Sequence, residues 1–180
     1  MAHWWVNQNQ TYMHEIHGGY LWSPKRNKSG AKNVFYDNMR RVRPGDVVFS
    51  FADTLIRAIG IASGVAESAP KPAEFGAIGS YWGKEGWLVP VKFTEVASPI
   101  RPKEHIEILR PTLPAKYSPL QMSGDGNQGV YLAEVPDAMA IMLRSLLKGQ
   151  VEVIIDSADL SIDDQVQDDA AEQARCERSE

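Results

Sequence analysis

The chain has a single cysteine, Cys176, in 180 residues. One thiol excludes an internal disulfide framework and a zinc site built on paired cysteines. No apolar run approaches the roughly 18 residues of a membrane span. The first residues lack the charged-then-apolar pattern of a secretory leader. A cytoplasmic protein without membrane partners is therefore expected. No Gly-x-Ser-x-Gly nucleophile elbow is present, and the lone thiol sits near the C-terminal end. Nothing in the sequence asks for a covalent nucleophile, a resident metal or a cofactor, and none is expected.

There are four histidines, His3, His14, His17 and His105. His14-Glu15-Ile16-His17 is one residue short of His-Glu-x-x-His, in which a spacing of four sets both imidazoles on one helix face with the glutamate as base. A metal centre here would need His3 or a carboxylate as further ligand; the plainer expectation is a polar helix face. Gly124-Asp125-Gly126-Asn127-Gln128-Gly129 is glycine-rich, but it lacks the Gly-Lys-Ser/Thr ending of a phosphate loop and leads into Val130-Tyr131-Leu132, so it reads as a turn, with a loop touching a ligand or nucleic acid as the alternative.

Hydrophobic residues make up 43% and charged residues 23%, which predicts one globular core. The net charge of −4 argues at first against a nucleic-acid partner. The distribution reverses that inference. Residues 1–150 hold 17 Lys+Arg against 13 Asp+Glu, and residues 151–180 hold 2 against 10. A basic domain over 1–155 followed by an acidic linker or tail over 156–180 is expected.

Periodicity predicts mixed α and β structure. His3–Gln8, Asp46–Phe51, Leu55–Val65, Trp87–Phe93 and Val130–Leu132 read as strands. Pro90 suggests an edge or a bulge. Thr11–His17, Val34–Val42, Lys103–Leu109 and Ala138–Leu147 read as helices. Val151, Val153, Ile154 and Ile155 suggest a further short strand, and Ala69–Gly86 a loop.

The aromatic residues carry more information. Trp22 stands in Tyr20-Leu21-Trp22-Ser23-Pro24-Lys25-Arg26, where Pro24 bars a helix. Tyr81, Trp82 and Trp87 flank a glycine-rich stretch beside Lys84. Aromatic faces grip a flat base by stacking, and neighbouring cations hold phosphates.

Trp5-Val6-Asn7-Gln8, Tyr20 to Lys25 and Pro44-Gly45-Asp46-Val47-Val48-Phe49-Ser50-Phe51 together resemble an EVE domain of the PUA-like superfamily, which is close to the YTH modification readers. Lys71 to Gly76, Pro99 to Lys103, Lys116 to Leu120 and Gln128 to Leu132 extend the likeness across residues 3–155. It is similar to the N-terminal half of EVE–HNH endonucleases, bacterial restriction enzymes acting on modified cytosine. The resemblance implies an α+β fold, a small PUA-like β-barrel of EVE/YTH type flanked by short helices, with a pocket for a flipped base. Trp22 followed by Ser23 matches one wall of the YTH aromatic cage, with Trp82 and then Trp87 as further walls. Phe49, Ser50 and Asp53 are expected at the floor or edge, and Asp53 suits a cytosine amino group. Lys25, Arg26, Lys28, Lys32, Arg40, Arg43 and Lys84 are expected on the DNA backbone.

The His-Asn-His nuclease motif is absent, so the chain by itself is expected to bind double-stranded DNA carrying 5-methylcytosine or 5-hydroxymethylcytosine without cutting it. The HNH nuclease domain would be its partner in the full architecture. A reader of modified RNA, a metal-dependent enzyme on His3, His14 and His17, and a protein-interaction module are the alternatives.

Overall fold

The computed structural model describes residues 1–177. Strand β1 (His3–Asn7) leads through helix α1 (Tyr12–Gly18) to β2 (Tyr20–Pro24). Gly19, at φ 74°, closes α1 in the left-handed conformation that favours glycine. Helix α2 (Val34–Asp37) passes into a 3₁₀ turn over Asn38–Arg41, where a single helix over Val34–Val42 was expected. Strands β3 (Val47–Ala52) and β4 (Leu55–Ala62) form a hairpin turned by Asp53 and Thr54, both at positive φ. Then come β5 (Glu67–Pro70), a 16-residue β6 (Glu85–Ile100), α3 (Ile106–Leu109), β7 (Leu132–Val135) and α4 (Asp137–Leu146).

One seven-stranded mixed sheet runs β2-β6-β4-β3-β1-β7, with β5 also on β6. β1 is parallel to β3 and antiparallel to β7. The sheet curls into a half-barrel with short helices around it, which is the α+β fold expected from the resemblance. Strand alternation sorts the core onto two faces. Trp5, Phe49, Ile59 and Leu143 pack with the helices on one side; Trp4, Val6, Val48, Leu21 and Leu132 pack on the other.

Three expectations are corrected. Pro90 lies neither on an edge nor at a bulge but inside β6. It sits between the last residue paired to β5, Leu88, and the first paired to β4, Val91, so its missing N–H falls at the handover. Val151 to Ile155 form no strand. They begin helix α5 (Gln150–Glu177), with Val151 buried against the α4 face of the core. The last strand begins at Leu132 rather than Val130. α5 runs through residue 155, and residues 178–180 of the acidic segment lie outside the described residues.

Gly86 pairs with Pro24 where β2 and β6 close on each other. A β-carbon there would fall 2.0 Å from the Ser23 carbonyl oxygen and 2.5 Å from the Trp22 ring. Gly86→Ala is expected to cost about 1–3 kcal/mol, read as a lowered urea midpoint at unchanged m-value; an unchanged midpoint would refute this account of the β2–β6 contact.

Candidate functional site

Helix α1 buries Tyr12, Glu15 and Ile16, spaced three and four apart along one stripe. Glu15 is therefore carried inward with two hydrophobic residues, while His17 faces solvent. The Glu15 side chain is fully buried. Gln8 Nε2 donates to Glu15 Oε2 at 2.6 Å, and the Tyr131 hydroxyl lies 3.0 Å from both carboxyl oxygens. The Trp22 backbone N–H donates to that hydroxyl at 3.1 Å. Ser50 Oγ donates to Gln8 Oε1. The chain Ser50–Gln8–Glu15–Tyr131–Trp22 thus links β3, the end of β1, α1, the approach to β7, and β2.

Burial without a cationic partner pushes the Glu15 carboxyl up to about 8, against the pull of the groups that hydrogen-bond it. Burial, reinforced by Glu15, also drives the Tyr131 hydroxyl well above its ordinary value.

Above this network lies a cleft of about 440 Å³, within the roughly 300–1,000 Å³ of small-molecule sites. Asn7 to Thr11, Trp22 to Pro24, Tyr36, Tyr81, Trp82 and Gln128 to Tyr131 line it. It sits where β2 and the approach to β7, at opposite edges of the sheet, come together. Trp82 is half-buried, with its ring 6.2 Å from Trp22 and 5.9 Å from Tyr81. Tyr36 stands 6.4 Å from Tyr131. Trp22 is only 1% exposed: its indole donates to the Ala69 carbonyl and its ring packs on Phe75 at 5.9 Å. Trp22 backs the cleft, and Trp82 with Tyr81 and Tyr36 present accessible faces.

A second depression, about 600 Å³, is lined by Lys25, Arg26, Lys32, Asp37, Arg40, Arg41 and Trp87. Lys25 Nζ sits 4.3 Å and the Arg40 guanidinium 5.3 Å from the Trp87 ring, distances of cation–π contact. Because Ser23-Pro24 line the cleft and Lys25-Arg26 follow directly, β2 carries the chain from one depression to the other. A larger hollow of about 640 Å³ beside α4, lined by His3, Asp137, Ile141, Arg144 and Glu152, has no Trp or Tyr wall.

Of the expected site residues, Trp22, Ser23 and Trp82 meet at the cleft, and Ser50 sits one hydrogen bond behind it. Three placements differ from expectation. Trp87 belongs to the cationic depression. Phe49 points to the opposite face of the sheet, its ring 6.0 Å from His3 in the helix-side core, because residues adjacent in β3 face opposite ways. Asp53 is the turn residue of the β3–β4 hairpin and pairs with Arg57 at 3.1 Å; the cleft lining does not include it.

Among the expected backbone contacts, Lys25, Arg26, Lys32 and Arg40 share the cationic depression. Arg43 hydrogen-bonds the Arg40 and Val42 carbonyls on the same segment. Lys28 and Lys84 are exposed and line neither depression. Gln8, Tyr36 and Tyr131 line the cleft and Glu15 lies behind it, although none of the four is expected at the site from the sequence. The inward spacing of Tyr12, Glu15 and Ile16 was the available signal for one of them. Among the described residues no three His, Cys, Asp or Glu side chains converge as a metal set, and no helix is long and apolar enough to cross a membrane.

The α+β half-barrel is a fold met in solved structures. The fold is similar to the DUF55 domain of human thymocyte nuclear protein 1 (TM-score 0.51, 16% identity, over 82% of this chain and 99% of that one). It is similar to a hypothetical protein from Leishmania major (TM-score 0.53, 12% identity, 83% and 96%). It is also similar to the human THYN1 protein in complex with DNA containing 5-methylcytosine (TM-score 0.50, 14% identity, 82% and 98%). At these identities the likeness establishes the shared fold. No family model and no curated protein matches the chain in sequence.

Proposed function

We propose that this chain is a binding module that reads modified cytosine, 5-methylcytosine or 5-hydroxymethylcytosine, in double-stranded DNA, taking the base out of the stack into the cleft. The observation that carries this reading is the cleft itself, with accessible faces of Trp82, Tyr81 and Tyr36 and a cationic depression joined to it by four consecutive residues of one chain segment. Support comes from the fold shared with human THYN1, whose structure holds DNA containing 5-methylcytosine. Extruding a base costs a few kcal/mol, and each base–aromatic stack returns about 1–3 kcal/mol. The cations of the depression supply the sequence-independent part of the affinity through phosphate contacts. On the resemblance to EVE–HNH proteins, the module is a specificity domain for an HNH nuclease domain and does not itself cut.

Anisotropy titration with duplexes differing only at one cytosine tests the reading. Affinity is expected to rise about 5- to 150-fold when that cytosine carries the modification, the equivalent of roughly 1–3 kcal/mol from fit to the added group. Equal affinity for plain and modified duplex at 150 mM salt overturns it. Stronger competition by a matched modified RNA would assign the cleft to RNA instead.

A further inference from the structure

Glu15 is a fully buried carboxyl at the base of the cleft, and it is not needed to hold α1 in place through any ion pair. The groups facing it come from every element around it. They are Gln8 beyond β1, Thr11 at the start of α1, the Trp22 backbone and Tyr20 on β2, and Tyr131 before β7. All are neutral; no lysine, arginine or histidine is among them. The four residues hydrogen-bonded to it, Gln8, Thr11, Trp22 and Tyr131, all line the cleft. The cleft thus lies one hydrogen bond from the carboxyl.

We propose that Glu15 is a proton-operated positioning residue of the reading cleft: the neutral carboxyl holds Gln8 and Tyr131 in the arrangement that accepts a base, and ionisation opposes binding. The inference rests on the function proposed above. A base seated in the cleft expels the water that the carboxylate would need, since a buried anion without a counter-cation must be solvated or satisfied entirely by neutral donors. Ligand and proton therefore favour the same state, and by linkage each tightens the other. Ser50 transmits the arrangement one step deeper, fixing the Gln8 amide by occupying its oxygen while Glu15 occupies its nitrogen.

With ionisation near pH 8, the binding-competent fraction falls about tenfold between pH 7 and pH 9, and apparent affinity falls in proportion. The experiment measures the dissociation constant of a 5-methylcytosine duplex from pH 6 to 9 for the wild type and for Glu15→Gln, an isostere of the neutral carboxyl. The wild type is expected to weaken about tenfold and the variant to stay within about twofold throughout. Parallel profiles in the two proteins overturn the proposal.

A ligand-free arm separates this inference from the function itself. Tryptophan fluorescence of the free protein is expected to titrate with a midpoint near 8, and Tyr131→Phe, which removes one donor to the carboxylate, to raise that midpoint. A trace without this transition overturns the proposal whatever the protein binds. A clear transition in a protein that binds none of the duplexes at any pH overturns both the proposed function and the coupling to it.

Discussion

Trp82→Ala is expected to weaken binding of a 5-methylcytosine duplex by about 5- to 150-fold, the loss of one base–aromatic stack of roughly 1–3 kcal/mol. Affinity for an unmodified duplex falls much less, because that binding rests on phosphate contacts in the cationic depression. The choice of Trp82 over Trp22 follows from burial. Trp22 is 1% exposed, with Phe75 against its edge and its indole N–H committed to a backbone carbonyl. Its replacement by alanine is a core deletion of about 3–5 kcal/mol and reports on folding before it reports on recognition. Trp82 is half-buried on the loop between β5 and β6, its ring packed over Gly79 and tilted toward Trp22, and it lines the cleft. Trp82→Phe retains an aromatic face and is expected to recover most of the affinity. Anisotropy titrations paired with thermal melts check this. A fully folded Trp82→Ala protein that binds the modified duplex as tightly as the wild type would remove Trp82 from the site.

What the sequence reveals and what it hides follow from the range of the interactions concerned. β1, β3 and β4 are legible because their β-branched and aromatic runs sit next to turn residues, and α4 because its apolar positions recur at helical spacing. Trp22-Ser23 and Trp82 stand out in the sequence as tryptophan beside Pro, Gly and Lys, and the fold brings them to one cleft, with Trp22 buried behind it. The side of β3 that Phe49 faces is not legible: alternation says only that Phe49 and Ser50 face opposite ways, and the parallel pairing with β1 decides which goes to the helices. Val151 to Ile155 read as a strand from β-branching alone. Packing of Val151 onto the α4 side of the core overrides that propensity, and the residues begin α5. Glu15 is hidden for a similar reason. Between two histidines it looks like part of a polar face, whereas its partners Gln8, Ser50 and Tyr131 are brought to it by sheet pairing across the chain.

The same carboxyl carries the largest expected effect on stability. Its ordinary value of 4.5 applies to the unfolded chain, and burial raises it to about 8 in the folded protein. Between those values the native state holds a proton that the unfolded state has released, so stability falls as pH rises. The contribution is fully present below about pH 4.5, declines by about 1.4 kcal/mol per pH unit, and is lost once pH passes about 8. The whole change is of order 5 kcal/mol, a large part of the roughly 5–15 kcal/mol that keeps a domain folded. It corresponds to a fall in Tm of about 10–20 °C for a chain of this size. His3 acts in the opposite sense. Burial and the nearby Arg144 hold its imidazole below the usual 6.5, so its contribution to stability increases as pH rises toward that value. Above about 6.5 it is neutral in both states, which leaves pH 6.5 to 8 as the window in which Glu15 acts alone of the two. Glu15→Gln removes the ionisation and keeps a polar group among the same partners. Its Tm is expected to stay level across this window while that of the wild type declines, and the variant is expected to be the more stable protein at pH 9. Urea midpoints at half-unit pH intervals measure the difference between the two directly, with every other titrating group common to both and cancelling. Equal slopes in the two proteins would place the Glu15 carboxyl in its ionised form throughout, and with it a water or cation path into the floor of the cleft.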